Sequence, residues 1–190
     1  PKYPDECPPV SDVIITHSHI DHIGMAPWLT QHQNIRIHGT SLTADVSEIM
    51  WRDTYKVSSI EGYPLAWDKR DMEYALDSWY PHEYGEWFDV GAWKCRLHRA
   101  GHLPGAAMVE IKTPTQTILW SGDIDTRDSP NSFGAIPVEC DILCLEGTYG
   151  GREHPDRPKE EEKLVKKVID IVEKRGVALI PAFASGRGQD

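Results

Sequence analysis

The segment Thr16-His17-Ser18-His19-Ile20-Asp21-His22 places three histidines and one aspartate within six residues. Along an extended backbone, residues two apart face the same way, so His17 and His19 present two imidazoles to one point, half of a tetrahedral zinc shell. Asp21 and His22 follow where the strand is expected to turn over into a loop, and they address a second position. The spacing suits two metals better than one. Zinc takes nitrogen and carboxylate donors at roughly 2.0–2.2 Å, and a catalytic site keeps a position for water. Further donors must come from distant segments. "RAGHLPGAAM" sets His102 among small residues after a strand-like run, and "LWSGDIDTR" sets Asp123 behind a glycine at the end of another. The two oxygens of a carboxylate can reach two cations, and Asp123 is the candidate bridge. His32, His38, His82, His98 and His154 have no such setting and are expected on the surface or in packing.

The elements that position these groups are legible in outline. "VIIT" (13–16) is a β-branched run that leads straight into the histidines, which places them at a strand's C-terminal end, where α/β sheets tend to hold their sites. "GMAPWLTQH" can begin a short helix, and 35–38 is a second strand. "TSLTADVSEIMWRDTYKVS" has Ser/Thr caps and helical spacing through Leu42, Val46, Ile49 and Met50, and a further helix is expected over 68–79. Between Glu86 and Leu145 five short strand-like runs alternate with turn residues, which fits an antiparallel to mixed sheet. "RPKEEEKLVKKVIDIVEKRG" opens with an early proline and acids, carries an apolar stripe of Leu164, Val165, Val168, Ile171 and Val172, and closes on Lys174, Arg175 and Gly176, all marks of a helix. "VALIP" (177–181) reads as a last strand. Gly186-Arg187-Gly188 could hold phosphate at a helix start. The lysines of the charged helix read as its solvated face.

Composition narrows the function classes. A hydrophobic content of 39% with seven tryptophans supports a packed core, and the tryptophans are expected mostly within it. Thirty acidic against twenty basic side chains leave a net charge of −10, which disfavours generic adhesion to nucleic acid or anionic membrane. A polyanionic substrate would then need a local basic patch or a bound metal. Four cysteines without a paired framework point to a reducing compartment, and Cys140 and Cys144 to apolar packing. No apolar run approaches the roughly 18 residues of a membrane span. The expectation is a soluble, cytoplasmic protein, nuclear if its source is a eukaryote, with no membrane partner.

"THSHIDHIGMAPWL", "HRAGHLPGAAM", "WSGDIDTR", "LCLEGTYG" and "LIPAFASGRGQ" occur in an order and spacing that resemble the metallo-β-lactamase superfamily, specifically its β-CASP RNA-processing nucleases. The resemblance covers nearly the whole chain. It implies an α/β fold, a partial metallo-β-lactamase αββα sandwich over residues 1–176, and the start of a β-CASP domain over 177–190. It further implies two zinc ions, with His17, His19 and His102 on one, Asp21 and His22 on the other, and Asp123 between them. Asp21 could also orient the attacking water as a base, and Glu146 would assist proton transfer at the leaving group. By its residues alone, Glu146 at a strand end can equally cap the next turn. The implied reaction is phosphodiester hydrolysis of single-stranded RNA by a metal-activated hydroxide, within a homodimer or an RNA-processing complex.

The family pattern includes strands before the HxHxDH motif and two more histidines after the β-CASP domain. The chain therefore resembles a fragment, with the second zinc short of a ligand. Two other readings share the scaffold: a hydrolase of lactams, lactones or thioesters, and a non-catalytic assembly subunit.

Overall fold

The computed structural model describes residue 4, residues 6–186 and residue 188. The chain divides into two compact units, one running to Glu146 and one from Gly147 to Gly188.

In the first unit, β1 (Asp12–Ile14), β2 (Arg36–Gly39) and β3 (Trp79–Pro81) form a parallel sheet in that order. Parallel neighbours need crossovers, and here these are helical: α1 (Ile20–Ile23) and α2 (Ala26–Thr30) after β1, then α3 (Ser41–Glu61) and α4 (Lys69–Asp77) after β2. The helix starts are set by side chains. Thr40 accepts from the Thr43 amide to cap α3, and Asp68 and Asp71 form a reciprocal capping box on α4. Ile23, Trp28, Trp51, Trp67 and Met72 from the helical layer pack with Ile15, Ile35 and Ile37 from the sheet side into one core.

The second sheet has the order β4 (Trp87–Val90), β5 (Trp93–Arg99), β6 (Ala107–Lys112), β7 (Thr117–Trp120) and β8 (Ile142–Cys144). Its first three pairings are antiparallel and β7–β8 is parallel, the mixed sheet expected from the strand spacing. Ile14 of β1 packs against a cluster of Leu97, Ala107 and Val109, and the Ala107 amide donates to the Thr16 carbonyl at 2.7 Å. The two sheets therefore meet directly under the histidine segment. Helices on one sheet and a second sheet beneath it give the mixed α/β architecture of the metallo-β-lactamase fold.

In the second unit, α5 (Arg157–Glu173) is the charged helix, capped by Asp156 accepting from the Lys159 amide. None of its residues is buried. No strand forms over 177–181, and Val177, Leu179 and Ile180 stand exposed. That corrects the expected last strand: an apolar run becomes a strand only where a neighbouring edge offers its backbone a ladder. Among the described residues, no helix is long and apolar enough to cross a membrane.

Two further expectations change. The fully buried residues of α3 are Thr43, Ser47, Trp51 and Ser58; of the expected apolar positions Met50 packs partly against the core and Val46 is half-buried, but Leu42 and Ile49 are exposed, Ile49 by 65%. Thr40 and Thr43 both donate to the Gly105 carbonyl, at 2.8 and 2.9 Å, so the helix approaches the second sheet through small hydroxyl side chains. The seven tryptophans also divide. Trp28, Trp51 and Trp67 are buried, whereas Trp87, Trp93 and Trp120 are exposed.

Candidate metal centre

Past the end of β1, Thr16, His17 and Ser18 are buried, with His17 and Ser18 wholly so. Alternation then sets His17 and His19 on a common side, and His17 Nε2 lies 3.2 Å from His19 Nδ1. The Thr16 hydroxyl is 3.1 Å from His17 Nδ1. With the ring proton assigned to Nδ1 and donated to that hydroxyl, Nε2 keeps its lone pair towards His19.

Asp21 and His22 lie in the single turn of α1, not in a loop. His19 caps that turn and accepts from the His22 amide at 2.9 Å, which brings the His22 ring back over His17 with centroids 4.0 Å apart. His22 Nε2 is 3.6 Å from Asp21 Oδ2, and the Asp21 side chain is largely exposed.

The other half comes from the second sheet. His102 lies in the loop between β5 and β6, which is held by the Ala100 amide on the Ala106 carbonyl and by the Tyr84 hydroxyl on the same carbonyl. His102 Nε2 reaches to 3.1 Å from His19 Nδ1. Asp123, beyond β7, turns one oxygen to each side: Oδ2 is 3.5 Å from His102 Nε2 and 3.8 Å from His17 Nε2, and Oδ1 is 3.6 Å from His22 Nε2. Glu146, beyond β8, accepts from the Ile124 amide at 2.9 Å, and its own amide donates to Ser121 Oγ at 3.0 Å. Its carboxylate thus sits next to Asp123 in the role of a turn cap.

Donor atoms of His17, His19, His102 and Asp123 all fall within 4.8 Å of one another. Bonds of about 2.0–2.1 Å to one tetrahedral ion would separate neighbouring donors by about 3.3 Å, close to the spacings seen here. The protonation states also suit a cation, because metal ligation needs neutral imidazoles. Burial pushes His17 down to about 2, with repulsion from His22, His102 and His19 adding to it. Burial lowers His102 too; Asp123 and Glu146 oppose this, and His19 and His22 reinforce it. The donors present fit a zinc-like ion. A second position between Asp21, His22 and Asp123 has fewer donors among the described residues.

Of the remaining histidines, His32 and His154 are exposed, and His38, His82 and His98 are held by hydrogen bonds. His98 Nε2 is 2.6 Å from Glu110 Oε2 within the second sheet. His38 is buried, its Nε2 2.9 Å from Asp12 Oδ1 and its Nδ1 2.8 Å from His82 Nε2. The sequence reading did not see this Asp12–His38–His82 chain. Its members are isolated residues on three strands or their ends, and no spacing links them.

The chain belongs to the metallo-beta-lactamase superfamily, whose profile matches residues 8–182. Among curated proteins it is similar to a ribonuclease of Thermus thermophilus, with 36% identity over 95% of this chain and 42% of the relative. An RNase of Saccharolobus solfataricus shares 30% identity over 95% of this chain and 37% of its own length. The cleavage and polyadenylation specificity factor subunit 3 of Dictyostelium discoideum shares 30% over 97% of this chain and 24% of its own. The chain thus spans less than half the length of each of these relatives.

Proposed function

We propose that this chain carries the metal-binding part of a zinc-dependent phosphodiester hydrolase acting on single-stranded RNA. The observation that carries the reading is the convergence of His17, His19, His102 and Asp123 from two sheets onto one point. The names of the ribonuclease relatives supply the substrate class. We assign His17, His19 and His102 to one zinc, Asp21 and His22 to a second, and Asp123 to both, supported by the opposite directions of its two oxygens. Bound there, the two ions would supply Lewis acidity and a hydroxide nucleophile at neutral pH.

The chain's own groups do the rest. Thr16 holds the His17 tautomer, and the cap on the Ile124 amide holds Glu146 beside Asp123, in position to pass a proton to a leaving oxygen. Asp21, exposed at the rim, is free to orient the attacking water as a base. The boundary of a β-CASP domain at 176/177, a homodimer or RNA-processing complex, and a cytoplasmic or nuclear location belong to the same proposal.

The test sets RNA and nitrocefin side by side, with zinc and with chelator. Zinc-dependent cleavage of RNA is expected of the full-length protein. Cleavage of nitrocefin without RNA would overturn the substrate class, and a chain that takes up no zinc would overturn the site.

A further inference from the structure

A cavity of about 420 Å³ lies beside the loop that carries His102, walled by the start of α3, the segment between β3 and β4, Arg99, and the 129–133 loop. That volume falls within the ~300–1,000 Å³ of pockets that take small organic ligands. Its walls carry Glu83, His82 and Arg99, and several arginines elsewhere in the chain are already committed. Arg36 pairs with Asp12, Arg52 with Glu48 and Glu73, Arg96 with Glu110, and Arg127 with Asp125.

Arg99 is different. It makes no ion pair among the described residues, and its guanidinium lies 4.7 Å from the ring centroid of Tyr84 and 5.7 Å from that of Phe133. Tyr84 is fixed in turn by its hydroxyl, which donates to the Ala106 carbonyl at 2.9 Å. A guanidinium held over aromatic rings makes a cation–π contact and still has N–H donors for a bidentate acceptor such as a phosphate. Phe133 is 68% exposed and offers an open aromatic face next to that fork. On the same wall His82 stacks on Phe88 at 3.6 Å and is tied through His38 to Asp12.

We infer that this cavity is a nucleotide subsite for single-stranded RNA, in which Arg99 takes a backbone phosphate and Phe133 stacks on a base. A cation beside an exposed ring is the pairing that single-strand binders use. It also meets the need set by a net charge of −10, since a polyanion approaching this chain requires a local positive group. The inference rests on the RNA reading of the metal centre.

The experiment measures fluorescence anisotropy of a labelled 12-mer oligouridylate against the full chain in chelator, so that no strand is cut, over a series of salt concentrations. Wild type is expected to bind with a salt-dependent affinity. Arg99→Ala should weaken binding about 10-fold and flatten the slope of log K against log salt by about 0.7, one single-strand phosphate contact. Arg99→Lys should restore the slope but not the full affinity, because a point charge replaces the fork. Phe133→Ala should weaken binding about 10-fold and leave the slope unchanged. Far-UV circular dichroism and zinc uptake of each variant report that the fold is kept, and exposed Phe133 provides a variant that leaves the core untouched. Wild-type affinity and slope in Arg99→Ala, with RNA still bound, would overturn the subsite alone. A wild-type chain that binds no RNA while hydrolysing another ester would overturn the RNA reading and the subsite with it.

Discussion

Replacing Gly101 with alanine tests whether the backbone ahead of His102 holds the metal centre together. Gly101 has φ +72°, and a Cβ built on it would lie 2.0 Å from the Asp125 carbonyl oxygen and 2.8 Å from the Ala135 amide nitrogen. One of the two chain segments must retreat by about 1 Å or more to reach ordinary contact. The left-handed conformation alone costs an alanine about 1–2 kcal/mol. The retreat also breaks into two backbone hydrogen bonds, Asp125 amide to Ala100 carbonyl at 2.9 Å and Ala135 amide to Asp125 carbonyl at 2.8 Å. At about 1 kcal/mol each, they bring the total to about 3–4 kcal/mol.

His102 is the next residue, and a metal shell tolerates shifts of only about 0.2 Å, so zinc affinity should fall by ~100-fold or more. The control is Gly62→Ala at the end of α3. Gly62 has φ +73° and nothing within 4 Å of its added carbon, so this change should cost only about 1–2 kcal/mol and leave zinc uptake as in wild type. Urea melts and zinc titrations of the two variants give the comparison. If Gly101→Ala were no less stable than Gly62→Ala and bound zinc equally well, the packing argument would be wrong.

Three other outcomes are expected. His17→Ala should abolish high-affinity zinc uptake measured by elemental analysis, while the conservative Asp123→Asn should lower the stoichiometry by removing a carboxylate from both proposed positions. At Asp12, burial raises the pKa, but hydrogen bonds from Ser11, Arg36 and His38 and the charge of Arg36 outweigh it and bring the group from 3.8 down to about 2. A depressed folded-state value contributes stability above pH 3.8 that is lost as pH falls towards 2. Acid titration of the unfolding free energy should show a loss of about 2 kcal/mol in that window, absent in Asp12→Asn. Burial pushes the Cys95 thiol up to about 11, with Asp12 and Asp89 adding to it. A thiol reagent at pH 8 should therefore leave Cys95 unmodified until the chain unfolds, as mass spectrometry of the labelled peptides would show.

The convergence of His17, His19, His102 and Asp123 was readable because its logic is local at each end. Period-two alternation aligned His17 with His19, and strand-end glycines and small residues flagged His102 and Asp123. The one-turn helix bearing Asp21 and His22 was not readable, since four residues carry no period. Apolar periodicity reads the inward face of α3 only in part. It counts Leu42 and Ile49 as inward, but cannot see that Thr43 and Ser47 are buried with their hydroxyls satisfied, Ser47 on the Thr43 carbonyl at 2.6 Å and Thr43 on Gly105. The helix read as reaching Trp79 ends two residues earlier, because Trp79–Pro81 finds a parallel partner in β2. Exposed Trp87 carries Arg96 over its ring at 4.3 Å, a use for tryptophan that hydrophobicity does not anticipate.

The hydrogen bond from Ala107 to Thr16 marks the seam at which two independently paired sheets close on each other. His19 and His102 face each other across that seam from positions 83 residues apart in the chain. Neither sheet alone carries a complete donor set, so an ion needing both cannot be captured until the long-range docking has happened. Where that docking completes after the folding transition state, the grip of an ion bound there would belong to the native state alone. Such an ion would act as a brake on the unfolding rate and leave the folding rate almost unchanged, and the persistence of the folded chain would then follow metal supply.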